Sequence, residues 1–380
     1  MTAQTAPLPP GSIIGILGGG QLGRMTALAA APLGYRCHIY CPEAGVPATQ
    51  VCDRATIAAY DDAEALAAFA QAVDVVTYEF ENVPAATAEV LARNVLLRPR
   101  PEVLAICQDR LKEKDFLRAI GIATAAYAPA ADTRALGRAV AEIGRPAILK
   151  SVRMGYDGKG QVPLRSGTDL GEAWAEMAGS IPDASGIVER RVEFTMEISV
   201  VVARGVGGDL AAYVPVENRH ESHILAQTIA PAPISAKLRG EAGAIARRIV
   251  EALDFVGVMG VEMFVTEDGH ILVNELAPRP HNSGHWTLDA CATSQFEQHV
   301  RAVVGLPLGD CERHSDATMK NLIGSDVEAW QELAGEPQAH LHLYGKGAPR
   351  PGRKMGHVTR LSPRGNPLRA DDTDASEELD

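Results

Sequence analysis

The chain has 380 residues, 46% of them apolar, with 48 acidic against 36 basic side chains and a formal net charge of −12. At roughly 150 residues per domain that is room for two or three packed units. The acidic balance argues against a surface built to coat nucleic-acid phosphates, and no charge-free run approaches the ~20 residues that span a bilayer, so neither nucleic acid nor membrane is an expected partner.

The opening MTAQTAPLPPGS lacks a basic region, and the apolar stretch after it carries Gly18, Gly19, Gly20 and Arg24, so it does not read as a signal peptide. SIIGILGGGQLGRMTALAAAPLG reads as a buried strand, a glycine turn and a helix. YRCHIYC and VDVVTYEF are further strands, with helical DDAEALAAFAQA between them. Strands alternating with helices predict a parallel α/β sheet over roughly residues 12 to 105. QDRLKEKDFLRAIG is a charged amphipathic helix. GRPAILKSV, QVPLRS and SGIVERRV are strands, with the loop RMGYDGKG and the helix DLGEAWAEMAGS among them, which predicts a small α+β unit. From FTMEISVVVARG onward, strands and turns dominate, with a helix at about 236 to 253, and a larger antiparallel sheet is expected. The tail ADDTDASEELD concentrates acids and reads as disordered. Cys37, Cys41, Cys52, Cys107, Cys291 and Cys311 form no Cys-x-x-Cys pair and are expected to be reduced thiols of a cytoplasmic protein.

Three stretches carry chemistry. In GVEMFVTEDGHILVNEL, Asp268-Gly269 is a favoured two-residue turn between apolar runs. With that turn Glu267 opposes His270, and counting outward pairs Glu262 with Glu275, while Asn274 points to the other face. Opposed side chains lie roughly 5 Å apart. Two carboxylates so close stay ionised only with a cation between them, and an all-oxygen pair favours magnesium or manganese. Such a site keeps waters and takes substrate phosphates, so the hairpin predicts a nucleotide. An acidic pair on a solvated sheet face is the alternative.

Gly18, Gly20 and Gly23 fit the dinucleotide pattern between strand and helix, with Glu43 as a ribose acceptor. That opens a second reading, a dinucleotide-binding oxidoreductase or sensor; a tight packing turn is the third. MGYDGKG is not a Walker A loop, because Lys159 is followed by Gly160. Its glycines instead predict a flap closing over phosphates, with Lys150 reaching the same anion. Finally, NELAPRPHNSGHWT packs Glu275, Arg279, His281, Asn282, Ser283 and His285 between stiffening prolines, a density of polar groups that packing alone seldom needs.

Lys150, the GYDGKG flap, IVERRV, Glu262 and the Asn274-Glu275 pair follow the order of the ATP-grasp ligases, which the chain resembles. Within that superfamily it is similar to the N5-carboxyaminoimidazole ribonucleotide synthetases over roughly residues 12 to 360, through GGGQLGRM, YEFENV, GYDGKG, GVMGVEMFV, NELAPRPHNSGHWT, NLIGSD and RPGRKMGHV. It departs from longer members after GHVTRL.

The resemblance implies an ATP-grasp fold of mixed α/β and α+β class. Its units would be a Rossmann-like domain over 1–109, a small lid domain over 110–195, and a large antiparallel-sheet domain with a C-terminal extension over 196–380. It implies ATP and magnesium, or manganese, as cofactors. Partners would be small molecules and a second copy of the chain in a homodimer. Arg110, Lys150 and the flap residues Met154, Gly155, Tyr156, Asp157, Gly158, Lys159 and Gly160 would contact the triphosphate. Glu189, Arg190, Arg191 and Val192 would line adenine; Glu197 would take the ribose hydroxyls, with His220 nearby. Glu262 and Glu275 would hold metal, with Asn274 beside them. Gly20, Gln21, Leu22, Glu79, Tyr156, Asp157, Arg279, His281, Asn282, Ser283, Arg353 and Lys354 would surround aminoimidazole ribonucleotide. Asp157, Arg279 and Lys354 would be catalytic. The activity implied is carboxylation of the ribonucleotide amine by bicarbonate through carboxyphosphate. A formate-dependent glycinamide ribonucleotide transformylase is the rival within the class.

Overall fold

The computed structural model describes residues 6–155, 159–179, 181 and 184–365. The expected disorder of the acidic tail falls on 370–380, outside the described residues.

The first sheet holds β1 (Ile13–Leu17), β2 (Arg36–Cys41), β3 (Arg54–Ile57), β4 (Val75–Tyr78) and β5 (Leu96–Leu97) in the order β3-β2-β1-β4-β5. Every pairing in it is parallel, as the alternation of strands and helices predicts. Strand order reverses beside β1, so the glycine turn after β1 and Glu79 after β4 meet at the crevice where such sheets bind ligands. Helices α1 (Gln21–Ala30), α2 (Ala63–Gln71), α3 (Ala85–Ala92) and α4 (Pro101–Cys107) connect and flank these strands.

After α5 (Arg110–Ala119) comes a small antiparallel sheet of β6 (Tyr127–Ala130), β7 (Ala147–Ser151), β8 (Gln161–Leu164) and β9 (Gly186–Arg190), ordered β6-β9-β7-β8. Helices α6 (Thr133–Ile143) and α7 (Leu170–Ala178) pack on it through Leu136, Val140 and Met177. Helix α5 packs elsewhere: Leu117 belongs to the core under the third sheet. Asp62, Asp109, Asp132 and Asp169 each accept a backbone N–H at the start of α2, α5, α6 and α7, the usual reason a helix begins where it does.

The third sheet is antiparallel. Its strands are β10 (Phe194–Arg204), β11 (Leu210–Ala212), β12 (Val216–Glu221), β13 (Ile224–Ala230), β14 (Gly257–Thr266), β15 (Ile271–Ala277), β16 (Ser315–Ile323), β17 (Ala339–Leu343) and β18 (Lys354–Pro363). Their order is β15-β14-β10-β12-β13-β16-β18-β17, with β11 beside β10. Helices α8 (Ala236–Ala252), α9 (Thr287–Ala290), α10 (Gln295–Val304) and α11 (Trp330–Gly335) complete the chain. Ile198, Val200 and Val202 of β10 and Met259, Val261, Met263 and Val265 of β14 face a core shared with α8. By the two-residue alternation of strands, Glu197, Ser199 and Glu262 face the opposite side, toward the cleft. Helix α10 ties this sheet to the first, since Val300, Val303 and Val304 pack with Ile14, Ile16 and Ile39.

Among the described residues no helix is long and apolar enough to cross a membrane. All six cysteines are free thiols.

Candidate active site

The β14–β15 hairpin brings Glu262 opposite Glu275, by a route other than the expected one. The turn is a three-residue loop, not Asp268-Gly269 alone. Thr266 N–H donates to His270 O and Gly269 N–H to Thr266 O, both at 3.0 Å, with Gly269 at φ 77°. Glu267 therefore sits in the loop and does not oppose His270. Val265 then pairs with Ile271, Phe264 with Leu272 and Met263 with Val273, one residue off the two-residue register. A bulge at Asn274 restores the count, and Glu262 meets Glu275. Without that extra residue Glu262 would face Asn274, and Glu275 would turn toward the core, because a one-residue slip exchanges the faces.

Protein nitrogen groups already flank the pair. Arg110 Nη1 lies 3.1 Å from Glu275 Oε2. Burial works to raise the Glu275 carboxyl, but Arg110 and Lys150 outweigh it and hold it below the usual range. Glu262 Oε1 is 3.0 Å from His281 Nε2. Asn274 Oδ1, from the bulged residue next to Glu275, is buried with no hydrogen-bond partner. This donor set is hard and all-oxygen, so it fits magnesium. Among the described residues no cluster of three or more His, Cys, Asp or Glu could hold a metal, which leaves the remaining coordination to water and phosphate.

Across the cleft stands the small sheet. Lys150 Nζ lies 3.0 Å and Lys114 Nζ 3.6 Å from Glu189 Oε2, all three buried. Burial favours the neutral acid, yet Lys150, Lys114 and Arg110 together bring Glu189 down to about 2. Its other oxygen, Oε1, is buried without a partner. The N–H groups of Arg190 and Arg191 are taken by Ala126 O and Pro146 O, and both side chains are exposed. Only their carbonyls, and Val192, remain for a purine. Glu197 accepts from His220 Nδ1. Burial opposes protonation of His220, but Glu197 prevails and raises it. In the flap, Met154 takes a left-handed φ of 64° and is exposed, and Gly160 packs on Ser151. Tyr156, Asp157 and Gly158 lie outside the described residues.

The loop after β15 is braced from behind. Thr228 donates to Asn218, Asn218 to Ser199, Ser199 to Ser283, and Ser283 to His281, whose Nε2 N–H then points at Glu262. This chain holds the His281 ring with Nε2 toward the carboxylate pair. Ser283 is fully buried in it, and Asn282 is paired with the Asn321 amide. Both therefore hold the loop and do not line a pocket. Gln295 clamps the same loop through His281 N, His281 O and His285 Nδ1.

The glycine turn after β1 does not await a dinucleotide. Glu79 fills it, with its carboxylate hydrogen-bonded by the Gly20 and Leu22 amides. A Cβ on Gly18 or Gly20 would lie 2.2 Å from a Glu79 oxygen, so these glycines admit the protein's own carboxylate at the helix N-terminus. Glu43 is exposed on the rim of the same crevice. The Leu22 side chain packs with Met25, Phe296 and Tyr344, leaving only its amide toward the site. Gln21 starts α1 at the edge of the turn. Arg279 faces both Glu79 and Glu81, with Nη2 2.6 Å from Glu81 Oε2. Lys346, near Glu79, donates to Lys354 O at 2.7 Å. Lys354 opens β18 close to His220 and His285, and Arg353 precedes it, its carbonyl accepting from Gly324 N–H. Arg279 thus lies within electrostatic reach of both Glu275 and Glu79, with Lys346 beside Glu79, and His220 lies within reach of both Glu262 and Lys354.

The family model described as the ATP-grasp domain matches residues 115–296. That of the ribonucleotide synthetase preATP-grasp domain matches 12–108, and that of the phosphoribosylaminoimidazole carboxylase C-terminal domain matches 317–371. The chain is 53% identical over 358 residues to the N5-carboxyaminoimidazole ribonucleotide synthase of Brucella melitensis, covering 94% of this chain and 98% of that one. The chain belongs to the N5-carboxyaminoimidazole ribonucleotide synthases. The Bacillus subtilis synthase is 42% identical, with 92% and 91% covered. A crystal structure of a synthetase of this family in complex with ADP superposes with a TM-score of 0.91 at 42% identity, with 94% of each chain covered. One from Aspergillus clavatus, in complex with ADP and 5-aminoimidazole ribonucleotide, gives 0.87 at 33% identity, with 93% and 94% covered. Membership supplies the fold class read from the sequence and rules against the dinucleotide reading.

Sequence reasoning about this synthase missed Lys346, Glu81, Lys114 and Glu113. Lys346 had no motif to mark it, and Glu81, although it lies in YEFENV, was passed over for Glu79 two positions before it. Glu113 and Lys114 did leave a signal, since they follow Arg110 at three and four positions and so share its helix face.

Proposed function

We infer that this synthase uses ATP and bicarbonate to carboxylate the exocyclic amine of 5-aminoimidazole ribonucleotide. The products are N5-carboxyaminoimidazole ribonucleotide, ADP and phosphate, in purine biosynthesis. The observation that carries the reading is Glu262 facing Glu275 across the bulge, beside the crevice of Glu79, Arg279 and Lys354.

Bicarbonate is a poor electrophile. Attack of its oxygen on the γ-phosphorus breaks the bond to ADP and gives carboxyphosphate. The ribonucleotide amine then forms the new C–N bond at the carboxyl carbon, phosphate leaves, and the nitrogen gives up a proton. Lys150 and Arg110 meet the phosphoryl oxygens, where positioned charge supplies most of the catalysis. Glu262, Glu275 and Asn274 would hold a magnesium or manganese ion, which when bound screens the triphosphate's charge. His281, held by Ser283, orients Glu262. Glu189 Oε1 accepts from the adenine amine, and Glu197 from the ribose hydroxyls. Arg279 exchanges its pairing with Glu81 for the acyl-phosphate. Lys346 and Arg353 take the ribonucleotide phosphate, while Lys354, with Asp157 from the flap, orients the amine and moves its proton. The flap excludes the water that would hydrolyse carboxyphosphate.

The test is a coupled assay of ADP release. It should require both aminoimidazole ribonucleotide and bicarbonate. ADP release that follows formate and glycinamide ribonucleotide instead would overturn the reading.

A further inference from the structure

The pairing of Glu262 with Glu275 depends on the bulge at Asn274, and a bulge needs support. β15 is the edge strand of its sheet. Its outward N–H groups must find partners beyond the ladder, since orphaned buried amides are costly. Val273 N–H donates to Ala123 O at 2.9 Å. The next such group is Leu276 N–H, three residues on and not two, and that spacing is the bulge itself. It donates to Glu113 Oε2 at 2.9 Å. The carbonyl of the bulged Asn274 accepts from Lys114 Nζ at 3.3 Å. Glu113 is 2% exposed and Lys114 1%. Glutamate and lysine side chains are almost never so buried unless paired; burial raises Glu113 to about 8, so it sits there largely as the neutral acid, and both side chains are turned to the backbone of one distorted segment. With Arg110 on Glu275 they form one face of α5 laid along the bulge. Lys114 also reaches Glu189, and through it Lys150 of the small sheet.

We propose that Glu113 and Lys114 are positioning residues that fix the 274–276 bulge and so hold Glu275 opposite Glu262. Lys114 also ties that geometry to Glu189 and Lys150 across the cleft. The proposal rests on the reading of Glu262 and Glu275 as the metal-holding pair, and the experiment separates the two.

Mn2+ binding to the full-length protein is followed by electron paramagnetic resonance at saturating ADP, and ADP binding is measured separately without metal. E113A and K114M should each weaken Mn2+ by about tenfold or more, the range for residues that orient metal ligands. Metal-free ADP affinity should fall by less. E113Q keeps an oxygen for the Leu276 N–H and should stay close to wild type. Should E113A not fold, E113Q and K114M still decide. Wild-type Mn2+ affinity in K114M, or equal losses of Mn2+ and metal-free ADP, overturns the positioning role while leaving the metal reading intact. E275Q tests that reading itself: if it binds Mn2+ like the wild type, the pair holds no metal, and the positioning proposal falls with it.

Discussion

Glu262 and Glu275 face one another only because Asn274 is an extra residue on its strand. Without metal the pair meets His281 Nε2 on one side and the Arg110 guanidinium on the other. Glu275→Gln should therefore cost metal-dependent ATP turnover at least about a hundredfold, since even residues behind the ligands are worth 10–100-fold. Stability should fall by only about 1 kcal/mol, through the lost partner of Arg110. Steady-state ADP release and thermal unfolding without metal check both. Turnover near wild type would remove Glu275 from the metal site.

The expected two-residue turn was one residue short, and the expected straight strand lacked its bulge; the two departures cancel. Turn length depends on whether Thr266 closes the loop, which it does by pairing with His270. The bulge depends on Glu113 and Lys114, distant in sequence. Neither is encoded in hairpin periodicity. The parallel first sheet and most strands were legible because their patterns are local. The fate of Ser283 and Asn282 was not: polar side chains in a loop look alike whether they face a ligand or a buried Ser199 and Asn321.

Gly20→Ala tests the filling of the glycine turn. Gly20 has an ordinary φ of −80°, so alanine strains no backbone. Its Cβ would instead meet Glu79 Oε1 at 2.2 Å. The carboxylate must move, at a cost of about 1–3 kcal/mol typical of overpacking. The KM for aminoimidazole ribonucleotide should rise about tenfold or more, while the KM for ATP stays near wild type. An unchanged ribonucleotide KM would mean that Glu79 does not shape that pocket.

Arg353 and Lys354 should fail differently. Arg353→Ala removes a phosphate contact worth about 2 kcal/mol and should raise the ribonucleotide KM roughly thirtyfold. Lys354→Ala should lower kcat by about a hundredfold, the low end for a positioned acid or base, and release ADP without equivalent product. Parallel measurement of ADP and carboxylated product separates the two. Wild-type constants in both would leave the 350–357 turn as surface only.

His299 joins the first and third sheets, and it does so as a neutral ring. Val258 N–H donates to its Nδ1 at 3.2 Å, so the ring proton is on Nε2, donated to Thr77 Oγ1 at 2.9 Å. A second proton, on Nδ1, would collide with the Val258 amide in a site 1% exposed. Burial accordingly lowers His299 from 6.5 to about 3. For a base lowered in the folded state, the unfolded chain binds the proton first. The stability due to neutrality is complete above pH 6.5 and is lost as pH falls from 6.5 toward about 3. One such group contributes about 1.4 kcal/mol per pH unit across that window. His299→Gln removes the titration while keeping polar atoms for Thr77 and Val258. Other buried histidines, such as His285 and His357, titrate in both proteins and cancel in the comparison. Urea unfolding at pH 7, 6, 5 and 4 should thus give a slope shallower in the variant by about 1.4 kcal/mol per unit below pH 6. Parallel slopes would mean that His299 takes up its proton in the folded protein, and that Thr77 and Val258 do not hold it neutral.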